Sequence, residues 1–285
     1  MAFAEHRIVA PDGVTLYLRD YAPVGPAGGV PVLCLHGLTR NSKDFEDVAP
    51  WIAGLGRRVL TLDVRGRGQS GWDPNPARYQ PGTYVGDVAF VLERLGVARA
   101  VFLGTSMGGL ITMILAAVSP GLIQAAALND IGPVIDPRGI ARIAGYAGRT
   151  GAFASWAECA GQIRALQGPF YPGADDAFWL TFARRCAREK DGAISFDYDP
   201  AIAHAMGQAA PATADLMPFF RALAAKPVLV LRGALSDILS AEGVAAMRDA
   251  KPDLRTADIA RVGHAPTLDE PDAREALAAF LREVG

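Results

Sequence analysis

The chain has little cysteine: Cys34, Cys159 and Cys186 are all it holds in 285 residues. An odd number at scattered positions, with no Cys-x-x-Cys pair, gives neither a disulfide framework nor a zinc site and fits a reducing compartment. Long apolar runs are also lacking. Stretches such as residues 110–118 stop well short of the roughly 20 residues that a bilayer crossing needs. No block of like charge is present, and 28 basic residues against 30 acidic ones leave a net charge of −2. Neither nucleic acid nor an anionic membrane is therefore an expected partner, and a small molecule is. The first seven residues show no basic start followed by an apolar stretch, so no secretory leader is expected and the chain is expected to be cytoplasmic.

What is abundant is material for a core, with 51% hydrophobic residues. Residues 14–21 alternate apolar and polar as a half-buried strand does. Short apolar runs follow at 30–35, 59–63, 100–104, 125–129, 228–232 and 254–260, most of them ending in a polar or glycine-rich corner. Helical patterns lie between them at 45–55, 84–95, 107–118, 241–248 and 271–283, the last opened by Pro271. Strands alternating with helices predict an α/β fold, a doubly wound and mostly parallel sheet.

The alternation breaks between residues 132 and 220, which hold Tyr146, Phe153, Trp156, Phe170, Tyr171, Phe178, Trp179 and Phe182 but no convincing buried strand. This segment is expected to be a helical cap inserted after the sixth strand, over a core formed by residues 1–131 and 221–285. Most of its aromatics should pack cap helices together, and the rest should line an apolar pocket beyond the carboxyl ends of the strands.

Chemistry points to Gly104-Thr105-Ser106-Met107-Gly108, on a strand-to-helix corner. A Gly-x-Ser-x-Gly string alone is weak; on such a corner it places a hydroxyl at the head of a helix, where small neighbours permit a sharp turn. A serine hydroxyl needs a base. Of His6, His36, His204 and His264, the last lies in a loop between the final strand pattern and the final helix, at the same sheet edge as Ser106. Asp237, beyond the 228–232 strand, is the expected acid behind His264, completing the chain order Ser, Asp, His; Asp130, at the end of the preceding strand, is the alternative. The backbone N–H groups of Leu38 and Met107 are the expected oxyanion donors, with the His36 side chain bracing the Leu38 loop. Asp63-Val64-Arg65-Gly66-Arg67-Gly68-Gln69-Ser70 lacks the Lys-Ser/Thr ending of a phosphate-binding loop, so Asp63 and Arg65, read as a fixed charge pair, are expected to brace loops beneath the site.

Together, His36-Gly37, Asp63-x-Arg65-Gly66-x-Gly68-x-Ser70, Gly104-x-Ser106-Met107-Gly108-Gly109, Arg232-Gly233 leading to Asp237, and Gly263-His264-x-Pro266 resemble the α/β-hydrolase superfamily, and within it bacterial esterase-like members with a helical cap. The resemblance implies an eight-stranded sheet and a serine hydrolase of esters or lactones that needs no cofactor or metal. Dehalogenases and epoxide hydrolases of this fold carry Asp where Ser106 stands. Carbon–carbon hydrolases of ring-fission diketones keep the serine but often place an aromatic where Ala265 follows the histidine; they and enol-lactonases are the alternative enzymes, and a non-catalytic receptor is the alternative of another class. One departure is the four-position step from Gly233 to Asp237, where many relatives use three, which keeps Asp130 in view.

Overall fold

The Val32–Leu35 strand shows in four residues why a two-faced sheet forms. All four side chains are buried, Leu33 and Leu35 in one apolar cluster and Val32 and Cys34 in another. Successive strand residues point to opposite faces, so a strand apolar at every position must be covered on both sides. The computed structural model describes residues 2–25, 28–203 and 215–285. Its strands in chain order are β1 (Ala4–Val9), β2 (Thr15–Tyr21), β3 (Val32–Leu35), β4 (Val59–Asp63), β5 (Ala100–Thr105), β6 (Ile123–Asn129), β7 (Ala187–Lys190), β8 (Ala193–Phe196), β9 (Val228–Gly233) and β10 (Arg255–Ile259). Eight of them form one sheet in the order β1-β2-β4-β3-β5-β6-β9-β10. β2 runs antiparallel to both β1 and β4, and every other neighbouring pair is parallel.

The helices are α1 (Val48–Gly54), α2 (Pro81–Arg94), α3 (Met107–Val118), α4 (Pro137–Ala144), α5 (Trp156–Gln167), α6 (Asp176–Cys186), α7 (Met217–Arg221), α8 (Ala241–Ala250) and α9 (Pro271–Glu283). α2, α3 and α8 bury apolar residues in the cluster on one face of the sheet, and α1 and α9 cover the other with Val48, Ile52, Leu277 and Phe280. The expected α/β fold with its eight-stranded, mostly parallel sheet is therefore present. No helix among the described residues is long and apolar enough to cross a membrane.

Between β6 and β9 the chain leaves the sheet. α5 and α6 pack on each other around Cys159, Ile163, Trp179 and Ala183, a cluster separate from the two sheet cores. This insert is not all helical: β7 and β8 form an antiparallel hairpin, turned by Asp191 and Gly192 at φ +53° and +77°. At the end of the segment, α7 packs on α3, with Phe220 buried in the sheet core and Met217 and Phe219 packed against it.

Candidate active site

The corner between β5 and α3 is tight because glycine makes it so. A Cβ at Gly108 would collide with the Leu35 carbonyl oxygen of β3, and one at Gly104 with the Gly108 backbone. Ser106 sits between them at φ +52° and ψ −114°, a left-handed conformation that a non-glycine residue adopts at a cost of about 1–3 kcal/mol. Its N–H donates to the Asn129 carbonyl of β6 at 3.0 Å. The side chain is thereby presented at the carboxyl edge of the sheet, at the N-terminus of a helix whose dipole favours negative charge there.

His264 is brought to the same edge by the loop between β10 and α9. Its Nε2 lies 2.9 Å from Ser106 Oγ, placed to accept the hydroxyl proton, and its Nδ1 lies 2.8 Å from Asp130 Oδ2. Asp130 follows β6 at φ +56° and is fully buried. Every hydrogen bond to its carboxylate is a donation to it: Gly233 N–H to Oδ1 at 2.8 Å, the Ser236 hydroxyl to Oδ2 at 2.6 Å, and the imidazole. An ionised carboxylate is acceptor-only and suits three such donors.

Asp237 is not at this position, which corrects the sequence-based choice of acid. Its carboxylate is held by Arg142 of α4 through Nε at 2.6 Å and Nη2 at 2.8 Å. The cause lies in the loop after β9. Ser236 N–H closes a turn onto Gly233, and Ser236 Oγ both donates to Asp130 and accepts from the N–H groups of Ile238 and Leu239. The four-residue step thus brings Ser236, rather than Asp237, to the histidine's partner. Ser236 was not anticipated; the only sequence signal for it was that extra position.

Leu38 follows β3 and lines the cavity in front of Ser106, and Met107 is the first residue of α3. Among the described residues neither N–H has a protein acceptor. His36 braces this loop as expected: Nδ1–H donates to Gly37 O at 2.7 Å and Nε2 accepts from Val64 N–H at 3.0 Å. His6 instead contacts Asp20 at the half-exposed start of the sheet, and His204 lies outside the described residues. Asp63 and Arg65 do not pair with each other, contrary to expectation. Asp63 accepts from the N–H groups of Ser42 and Gln69, while Arg65 is shared by Asp12, Asp73 and Asp87. Among the described residues no group of three or more His, Cys, Asp and Glu side chains could hold a metal ion.

Burial pushes the His36 imidazole down to about 4 from its ordinary 6.5. Between these values the unfolded chain binds a proton that the folded one refuses, so the stabilisation is complete above pH 6.5 and is lost as pH falls toward 4. Asp63 opposes it: burial raises this carboxyl to about 6 from 3.8, and its contribution is lost as pH rises through that window. Replacing the histidine isolates its part. In urea melts at stepped pH, His36→Gln is expected to be less stable than the parent at pH 7 but to lose less on acidification from 6.5 to 4; parallel curves would contradict the assignment.

The dyad opens into a cavity of about 400 Å³ lined by more apolar than polar surface. Tyr146, Tyr171, Phe178 and Phe182 from the insert face it, so half of the eight singled-out aromatics contribute to its wall. It is not uniformly apolar: Arg40, paired with Asp44, and Arg149, which has no carboxylate partner among the described residues, also line it.

A family model of the alpha/beta hydrolase fold matches residues 30–271. The chain is 33% identical to the 3-hydroxybutyrate-oligomer hydrolase of Cupriavidus necator, over 86% of this chain and 86% of that protein. It is 28% identical to the 2-(acetamidomethylene)succinate hydrolase of Mesorhizobium japonicum, over 85% and 82%. In three dimensions it is similar to the crystal structure of an alpha/beta hydrolase from Novosphingobium aromaticivorans, with a TM-score of 0.92 and 43% identity over 99% of both chains.

Proposed function

This chain belongs to the α/β-hydrolase fold family and is an enzyme of the hydrolase class, and from that premise we propose that it cleaves carboxylic esters or lactones of small substrates through an acyl-serine intermediate. The observation that carries the reading is the unbroken chain Ser106 Oγ, His264, Asp130, with contacts of 2.9 and 2.8 Å. His264 takes the hydroxyl proton as Ser106 Oγ attacks the carbonyl carbon. The oxygen that becomes negative is bound by the N–H groups of Leu38 and Met107. Collapse of the adduct expels the alcohol, protonated by His264, and leaves the acyl group on Ser106. Water, deprotonated by the same imidazole, then attacks the acyl carbon and releases the acid. Asp130 holds the ring in the tautomer that leaves Nε2 free and stabilises the imidazolium. In this reading the segment after β6 is the cap that covers the cavity, and the donor set calls for no cofactor.

The relative from Cupriavidus necator favours short linear 3-hydroxybutyrate oligomers as the substrate class. Such a chain has an ester at each link and a free carboxylate at one end. A mostly apolar cavity with Arg149, which has no carboxylate partner among the described residues, at its wall suits both features. The test is a panel of 3-hydroxybutyrate dimer and trimer, p-nitrophenyl esters of increasing acyl length, lactones, an enol-lactone and a ring-fission diketone. The expected outcome is turnover of the esters, with kcat/KM highest for the hydroxybutyrate oligomers. Cleavage of the diketone alone would contradict the ester reading, and binding without turnover of any compound would make the protein a receptor.

A further inference from the structure

Arg65 and Arg67, two residues apart, are both fully buried, yet the chain treats them differently. Arg65 is neutralised by three carboxylates, whereas no carboxylate among the described residues lies within ion-pair distance of Arg67. A buried cation without a counter-ion is costly, so each of its donors should be engaged. Arg67 Nε donates to the Leu38 carbonyl at 2.9 Å, Nη1 to the Arg65 carbonyl at 2.8 Å and to Tyr84 OH at 2.9 Å, and Nη2 contacts Met107 Sδ at 3.7 Å. Its Cζ lies 5.0 Å from the centre of the Tyr84 ring, so an aromatic face meets the charge where an acid would otherwise stand.

Two of these partners are the residues whose N–H groups are assigned to the oxyanion. They come from separate parts of the chain, the loop after β3 and the head of α3, and Arg67 touches both. We infer that Arg67 is a positioning residue of the oxyanion site: its guanidinium ties the Leu38 loop to the Met107 corner and keeps an unneutralised positive charge beside the place where the tetrahedral adduct becomes negative. The planar fork of arginine reaches several acceptors at fixed angles, which a lysine ammonium cannot do. Because the adduct is negative and the ester is neutral, the effect falls on the transition state and spares substrate binding.

The inference rests on the serine-hydrolase reading above, and the experiment separates the two. Parent, Ser106→Ala, Arg67→Met and Arg67→Lys are compared on a p-nitrophenyl ester, with kcat expressed per site titrated by a fluorophosphonate and with inhibition by a trifluoromethyl ketone, which forms a tetrahedral adduct with the serine. Arg67→Met is expected to lose on the order of 10^2 in kcat, the scale of one oxyanion donor. KM should change little, and the ketone should weaken by the same factor as kcat. Arg67→Lys, which keeps the charge without the fork, is expected to retain about ten times more activity than the methionine variant. An Arg67→Met enzyme with the parent kcat per titrated site, or one that loses only KM, overturns the inference. If that variant does not fold, Arg67→Lys decides alone: kcat and ketone affinity reduced together support the role, and parental values for both refute it. Unchanged hydrolysis by Ser106→Ala would instead refute the reading beneath it.

Discussion

Ser106→Ala and His264→Ala are each expected to lower kcat by about 10^4 or more, and the double variant should be hardly slower than either alone. The reason is geometric. In the proposed mechanism the 2.9 Å contact between Nε2 and Oγ makes one proton-transfer unit of two residues 158 positions apart in sequence, and removing either end leaves the other nothing to act on. Residual hydrolysis should come from the oxyanion donors and from binding, which both substitutions leave in place. Multiplicative losses in a double-variant cycle would mean that serine and histidine contribute independently, and the proposed relay would be wrong. Melting temperatures should stay close to the parent value, since both side chains lie at the cavity rather than in the two sheet cores.

Asp130→Asn should cost about as much, on the order of 10^4 in kcat, while Asp237→Asn should leave turnover near the parent value. Asp130 accepts from Gly233 N–H, from Ser236 Oγ and from His264 Nδ1. An asparagine has a single acceptor oxygen and brings two donors of its own, so at least one of those three partners is left facing an N–H group. The imidazole can relieve the conflict by carrying its proton on Nε2, which disables it as a base toward Ser106. Among the described residues the Asp237 carboxylate meets only the Arg142 guanidinium, and its loss loosens the contact between α4 and the loop after β9 without touching the imidazole. Steady-state kinetics of the two variants on one ester separates the possibilities, and the reverse ranking would return the role to Asp237.

That His264 meets Asp130, and not the expected Asp237, shows what a pattern of residues can and cannot carry. Strands buried on both faces are legible because nearly every position is apolar; Val59–Asp63 was bounded correctly from its residues, as was α3. The same principle locates a strand's carboxyl end, and Ser106, His264, Asp130 and Asp237 all lie at that edge. Choosing between the two acids needed the course of the loop between β9 and α8, residues 234–240. That course is set by local hydrogen bonds of Ser236 to Gly233, Ile238 and Leu239 together with one to Asp130, 106 positions away, to which no periodicity refers. The β7–β8 hairpin escaped for another reason. Its strands are four residues each; β7 carries Arg188, Glu189 and Lys190, and β8 has Ile194 as its one buried residue, so neither carries a buried-strand signature. The Asp191-Gly192 pair at its tip was the available signal, since both residues take the left-handed conformation that a tight hairpin turn requires. Nothing in the sequence singles out Arg67, since the motif around it reads only as a loop that lacks the ending a phosphate site needs. Its neutral partners come from three other segments and are visible only once the chain is folded.

Active-site labelling tests the central claim most directly. Parent protein, His264→Ala, Asp130→Asn and Asp237→Asn are treated with a fluorophosphonate, and the adduct is followed by intact mass and located by peptide mass spectrometry. The account predicts one adduct per chain, on Ser106, forming as fast in Asp237→Asn as in the parent and orders of magnitude more slowly in the other two variants. An adduct on another residue, or labelling of Ser106 that is indifferent to both His264 and Asp130, would contradict it.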